Sequence, residues 1–173
     1  MARHVELNPV SHLTIGAIGV PGQRVFYLQG SQGSTVVSLI IEKQQAIVVA
    51  TGFEELLRDL QRRYPQAQRD SSESVWMDLR LREPIEPLFR VGNIGLGYNE
   101  DLNRIVLMAY ELVEESEEEN ADAVSFWATR AQIQAMIPHT REVVKAGRPI
   151  CGNCGQPIDA SGHFCPKRNG YHP

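Results

Sequence analysis

The sequence predicts an α+β fold: antiparallel sheet covered by two helices, followed by a small C-terminal appendage. Three observations point there. Short runs of β-formers separated by turn signals fill both halves of the chain. Two stretches, beginning at Glu42 and Thr129, carry apolar residues at helical spacing. All three cysteines fall in the last 23 residues, among glycines and prolines. With 173 residues, 42% of them hydrophobic, the chain is long enough to bury a core of its own.

The elements follow in order. His12–Val20 reads as a strand interrupted by glycines, with Pro21-Gly22 as a turn signal. Arg24–Leu28 is a second strand, Gly30–Gly33 a turn, and Thr35–Ile41 an apolar run suited to a buried strand. Val49, Phe53, Leu56, Leu57 and Leu60 then mark one face of a helix that starts near Glu42 and ends before Pro65, with Gly52 its weakest point. Gln66–Ser74 is polar and reads as a loop. Val75–Arg82 alternates apolar and polar residues and predicts a strand with one wet face, broken by Pro84 and Pro87. Phe89–Tyr98 and Asn103–Leu112 form a hairpin across Asn99–Leu102, and Ala123–Ala128 is another strand. Thr129 with Gln132 makes a capping box for a second helix that stops at Gly147 and carries Ile133, Met136, Ile137, Val143 and Val144 on one face. Pro138 should kink or split it.

The second half echoes the first. Ile15-Gly-Ala-Ile-Gly-Val20 resembles Val91-Gly-Asn-Ile-Gly-Leu96, and Val37-Ser-Leu resembles Val124-Ser-Phe. Residues 12–63 and 89–146 thus read as a duplicated strand–strand–strand–helix unit, with chance similarity among apolar strands as the competing explanation. A duplication predicts approximate two-fold symmetry, each helix over its own three strands, and Gly16, Gly19, Gly92 and Gly95 near the axis. The domain division is a body over residues 1–147 and a tail over residues 148–173.

Charge separates the same two parts. Residues 1–140 carry a balance of −7 and residues 141–173 one of +3. Much of the acidity lies in Glu111–Asp122, a solvated loop or a docking site for a basic partner, without the glycine and alternating Asp/Asn positions of a calcium loop. The Val10–Gln23 stretch is too short and too broken by glycine for a membrane span, so a soluble, cytoplasmic protein with no membrane partner is expected.

The tail carries the strongest chemical pattern. Cys151 and Cys154 form a C-x-x-C pair followed by Gly155, and His163 with Cys165 forms an H-x-C pair eight residues beyond Gly155. Three thiolates and one imidazole complete a tetrahedral structural zinc shell with no place for water, and soft sulfur ligands favour zinc over magnesium or calcium. His172 is a substitute for His163 as fourth ligand. With only Ile158, Phe164 and Tyr171 as sizeable apolar groups, the tail has little but the metal to fold around. A redox C-x-x-C normally stands at a strand–helix junction, which this segment lacks.

At these residues the chain resembles a bacterial family of no established activity, best known in Actinobacteria and present in Chloroflexota. The resemblance rests on Cys151 to Tyr171, including Gly162-His163-Phe164-Cys165-Pro166 and Asn169-Gly170-Tyr171. Pro21-Gly-Gln-Arg-Val-Phe-Tyr-Leu-Gln29, Glu42-Lys-Gln-Gln45 and Phe89-Arg-Val-Gly92 extend it over nearly the whole chain. It implies His163 as the ligand, because residue 172 lies outside the pattern. It also implies a shared pathway with a histidine-phosphatase-like protein and a phosphoinositide-kinase-like protein, which are commonly encoded beside the members.

A catalytic set is hard to find in the sequence. There is no G-x-S-x-G elbow, Walker loop or properly ordered dinucleotide fingerprint. His12 beside Ser11 and Thr14 is an isolated candidate base. Glu42, Lys43, Gln44 and Gln45 at a strand-to-helix junction are candidate ligand-binding residues, because first-turn amides can meet an anion with Lys43 assisting. The expected function is therefore a non-catalytic, zinc-binding adaptor for a protein partner. One alternative is an enzyme or small-ligand binder using a groove between the halves near Gly16 and Gly92. The other is weak nucleic-acid binding through Lys167, Arg168, Phe164 and Tyr171.

Overall fold

A computed structural model describes residues 2–20, 22–65 and 77–146. Among the described residues seven strands form one sheet: β1 His4–Leu7, β2 His12–Ile18, β3 Val25–Gln32, β4 Thr35–Ile41, β5 Pro87–Asn99, β6 Arg104–Glu111 and β7 Ala123–Ala128. Helix α1 spans Lys43–Arg63, helix α2 spans Arg130–Ala146, and a short 3-10 turn occupies Glu115–Asn120. The fold is α+β, as the periodicities predict. The strand order is β1-β7-β6-β5-β4-β3-β2.

The sheet is mixed, not purely antiparallel. β4 pairs with β5 and β1 with β7 in parallel, and the other pairs are antiparallel. The β4/β5 pair is parallel because α1 and the connection after it carry the chain back before β5 begins, which a tight hairpin cannot do. The four-residue β1 has no period or turn signal of its own. It forms by pairing with β7, more than a hundred residues away in the chain.

The order strand–strand–strand–helix occurs twice, as β2-β3-β4-α1 and β5-β6-β7-α2. The two sets lie side by side in one sheet and run in the same sense. Gly16 sits on β2 at a sheet edge and Gly92 on central β5, with β3 and β4 between them. Each helix packs beyond its own strands: α2 lies against β2, α1 against β5, and the helices pack on one another.

Both helices supply the face their spacing predicts. Val49, Phe53 and Leu60 of α1 and Ile133, Met136, Ile137 and Val144 of α2 are buried in a single core with the inner strand residues. Full burial of such a side chain contributes about 1.5–3 kcal/mol. α1 runs unbroken through Gly52, where an added Cβ would stand 2.7 Å from Leu96 Cδ1, so the glycine admits Leu96 against the helix. α2 runs unbroken through Pro138. The Thr129–Gln132 capping box forms in both directions, at 2.9 and 3.2 Å. At the other end of α2, Arg24 Nη1 donates to the Val143 carbonyl at 2.8 Å and satisfies a terminal acceptor.

The sheet curls until its ends meet. Phe126 of β7 packs directly on Gly30 of β3, where any Cβ would clash with the ring, although three strands separate them in sheet order. Val10 N donates to the Trp127 carbonyl and Ser11 N to the Ser31 carbonyl, both at 2.8 Å, stitching the two ends together. β3 therefore continues through Gly30, and the turn expected at Gly30–Gly33 is reduced to Gly33-Ser34, with Gly33 at φ 61°.

The strand expected at Val75–Arg82 is corrected by its described part. Residues 77–82 join no ladder, and the chain bends at Arg80, whose N–H donates to Asp78 Oδ1 at 3.1 Å. Their polar backbone groups bond to side chains of β2 and β3 instead. Thr14 Oγ1 donates to the Leu79 carbonyl at 2.6 Å and His12 Nε2 to the Arg80 carbonyl at 3.1 Å. Gln29 grips Arg82 from both sides, donating to its carbonyl at 2.9 Å and accepting its N–H at 2.7 Å. The alternation in this stretch is that of a strap lying on a sheet face. Leu81 lies over Gly16, where an added Cβ would stand 2.5 Å from Leu81 Cγ. The loop expected at Gln66–Ser74 lies outside the described residues.

Candidate functional site

Glu42 is the N-cap of α1 and builds a reciprocal capping box with Gln45. The Glu42 carboxylate accepts the third-position amide, and Glu42 N donates to Gln45 Oε1 at 2.7 Å. Gln45 Nε2 then reaches β5, donating to the carbonyls of Val91 at 3.1 Å and Gly92 at 2.9 Å. Arg90 Nη1 pairs with Glu42 Oε1 at 2.6 Å. Glu42 and Gln45 thus tie α1 to β5, while Lys43 and Gln44 are exposed. The helix N-terminus already holds a carboxylate, its own, and that is the charge the dipole favours there.

His12, on β2, bonds to the strap. Its ring is 4% exposed, and because a carbonyl can only accept, the bond to Arg80 fixes the proton on Nε2. Among the described residues Nδ1 is left buried without a partner. Burial, and then the Arg82 guanidinium, hold His12 below the ordinary histidine pKa. Around it, Thr14, Gln29 and Ser38 form a continuous row across β2, β3 and β4, and Gln29 Nε2 also donates to Ser38 Oγ at 3.0 Å. Arg82 Nη1 donates to Ser31 Oγ at 2.9 Å. This buried polar row is absent from the sequence reading. Its signal was there, in polar Thr14, Gln29 and Ser38 at matching positions of otherwise apolar strands.

Among the described residues, open depressions include one at Gly16 and one at Gly92. One, of about 340 Å³, is lined by Gly16, Ile18, Leu81, Glu83, His139 and Val143. His139 is also held below its ordinary pKa by burial. The other, of about 490 Å³, includes Gly92, Asn93, Tyr110, Leu112 and Glu118. Gly16 lines the first of these depressions and Gly92 the second.

Arg130, at the start of α2, is 2% exposed and was not singled out in the sequence. Its guanidinium lies over the Tyr98 ring, 5.4 Å from the centroid, and Nη2 makes a long 3.4 Å bond to Tyr98 Oη. Nε has no partner. Tyr98 also stacks in a tilted pair on Tyr64 at the end of α1, with centroids 5.4 Å apart, so Arg130 and two tyrosines lock α1, β5 and α2 together.

The expected metal ligands Cys151, Cys154, His163 and Cys165, with His172 as substitute, lie outside the described residues. Among the described residues no group of three or more His, Cys, Asp or Glu side chains could hold a metal ion. Among them, too, no helix is long and apolar enough to cross a membrane. Residues 5–165 match a protein family described as Protein of unknown function (DUF3090). No curated protein and no solved structure matches the chain.

Proposed function

The chain belongs to this family, and from that premise we propose that it is a zinc-binding, non-catalytic binding or adaptor protein. The observation that carries the reading is the donor set Cys151, Cys154, His163 and Cys165. Three thiolates and an imidazole match the preference of a closed structural zinc site, which has no open position for a reacting water. The metal would fix a short, apolar-poor tail into a rigid surface that a partner can read. His12 gives further support, because its Nε2 proton is committed to the Arg80 carbonyl and its ring is nearly closed to solvent. We place the protein in the cytoplasm. Its partner is a kinase-like or phosphatase-like protein, following the gene neighbours of the actinobacterial and Chloroflexota family it resembles.

The test is metal content of untagged protein by mass spectrometry, with Cys165→Ser and His163→Ala beside it. About one zinc per chain, weakened in both variants, is expected for a four-ligand shell. Metal-free protein purified without chelator removes the proposal. Partner capture by the intact chain, lost in Cys154→Ser, tests the adaptor role.

A further inference from the structure

The two sets of strands differ in what lies on their outer face. On β2–β4 the outer row is covered by residues 77–86, the stretch that leads from α1 toward β5. On β6 the alternation sends Ile105, Leu107 and Ala109 into the core and turns Val106, Met108 and Tyr110 outward. β5 sets Gly95 and Gly97 opposite Met108 and Val106, so the outer face there is flat. Among the described residues no segment covers it. Tyr110 is 41% and Leu112 58% exposed, and both border the 490 Å³ depression.

The acidic run bounds the same depression. Glu118 lines it, and no residue of the Glu115–Asn120 turn is buried. None of the ion pairs among the described residues involves Glu114, Glu115, Glu117, Glu118 or Glu119. An apolar shelf beside a row of unneutralised carboxylates fits a segment that is cationic and carries a few aromatic side chains.

We propose that this face takes the chain's own residues 147–173, with Lys167 and Arg168 against the Glu114–Glu119 carboxylates and Phe164 and Tyr171 on Leu112 and Tyr110. Charge favours it: the segment carries Arg148, Lys167 and Arg168 against Asp159 alone. Reach allows it: the stretch from the end of α2 to Lys167 spans up to about 70 Å without metal and, with Cys151 and Cys165 closed on one ion, still about 25 Å, at roughly 3.3–3.6 Å per residue. A domain of this length has a radius of gyration of only about 16 Å. The first half sets the precedent of a stretch beyond a helix lying on the outer face of its own strands. The docked segment would cover the acidic surface, so any basic partner of that surface must displace it. The inference does not depend on the metal.

The experiment is carbodiimide cross-linking of the full chain, prepared as an equal mixture of unlabelled and ¹⁵N-labelled protein and read by mass spectrometry. Lys43 and Lys145 serve as internal controls. The expected result is a dominant Lys167 link to glutamates 114–119 within one isotopic chain. It should fall at least about fivefold at 0.5 M salt, where the screening length drops well below its physiological ~8 Å. Glu117→Gln with Glu118→Gln, and separately Leu112→Ser, should reduce it similarly. Leu112 is largely exposed, and an unchanged melting temperature verifies that the variant folds. Lys167 links spread evenly over the body, links indifferent to Leu112→Ser, or mixed-isotope links that assign the face to a second copy would each overturn the proposal. Zinc content measured on the same samples keeps this outcome separate from that of the metal site.

Discussion

Gly30 and Gly16 each admit a side chain that needs the space of a missing Cβ, yet the two differ in how freely their neighbours can yield. Phe126, over Gly30, is fully buried, whereas Leu81, over Gly16, is half-buried on a strap. Gly30→Ala should therefore destabilise by about 1–3 kcal/mol, in the range of core overpacking, and Gly16→Ala by less. Chemical denaturation of both variants measures the order, and equal costs would count against the difference in rigidity. His12 and His139 give a second test. Burial lowers the pKa of both, so the unfolded chain takes up protons that the folded one resists. The unfolded state then binds more protons as pH falls below about 6.5, and stability must decline in that direction. A melting temperature that falls between about pH 7.5 and 5.5, with a shallower slope in His12→Gln, is the expected result. A variant slope equal to the parent's would remove His12 from the account.

At the scale of elements, helix ends and strand edges are held by side chains reaching across long sequence distances. Gln45 closes the α1 capping box and also bonds the carbonyls of Val91 and Gly92 on β5. Gln45→Ala should cost about 1–3 kcal/mol, since it removes a cap and leaves half-buried acceptors unpaired. Gln45→Glu keeps the length but replaces the donor with a carboxylate facing those carbonyls, so it should not recover the loss. Urea denaturation of the two variants decides this, and a neutral Gln45→Ala would show that water replaces both bonds. The strap over β2 and β3 follows the same logic, its carbonyls taken by Thr14, His12 and Gln29 in place of a neighbouring strand.

On the scale of the whole molecule, one core joins all seven strands and both helices, and its buried apolar residues run from Leu7 to Val144. The expected zinc ligands all lie beyond that range. Metal removal should accordingly leave the far-ultraviolet circular dichroism of the chain nearly unchanged and shift its melting temperature little. A cooperative loss of helix signal on adding chelator would mean that the tail is part of the core's folding unit. The curl that brings β7 against β3 makes the body resistant to such loss, because its two sheet ends are stitched by backbone bonds at Val10 and Ser11.

What the sequence determined by itself is local. The 3.6-residue period of α1 and α2, the Asn99–Leu102 hairpin, Ala123–Ala128 and the Thr129 capping box depend on residues close in the chain, and periodicity and cap chemistry report them directly. The cysteine and histidine spacing of the tail is legible for the same reason, as a set of donors. The tertiary structure alone decided that β4 and β5 are parallel, that four residues at the start of the chain become a strand, and that the alternating stretch before Pro84 is a strap. It also decided that Glu42 and Gln45 serve as a clamp on β5. Each of these rests on a bond between residues about 50 to 120 positions apart, and the partner that satisfies a backbone group at that separation has no signature in the local pattern.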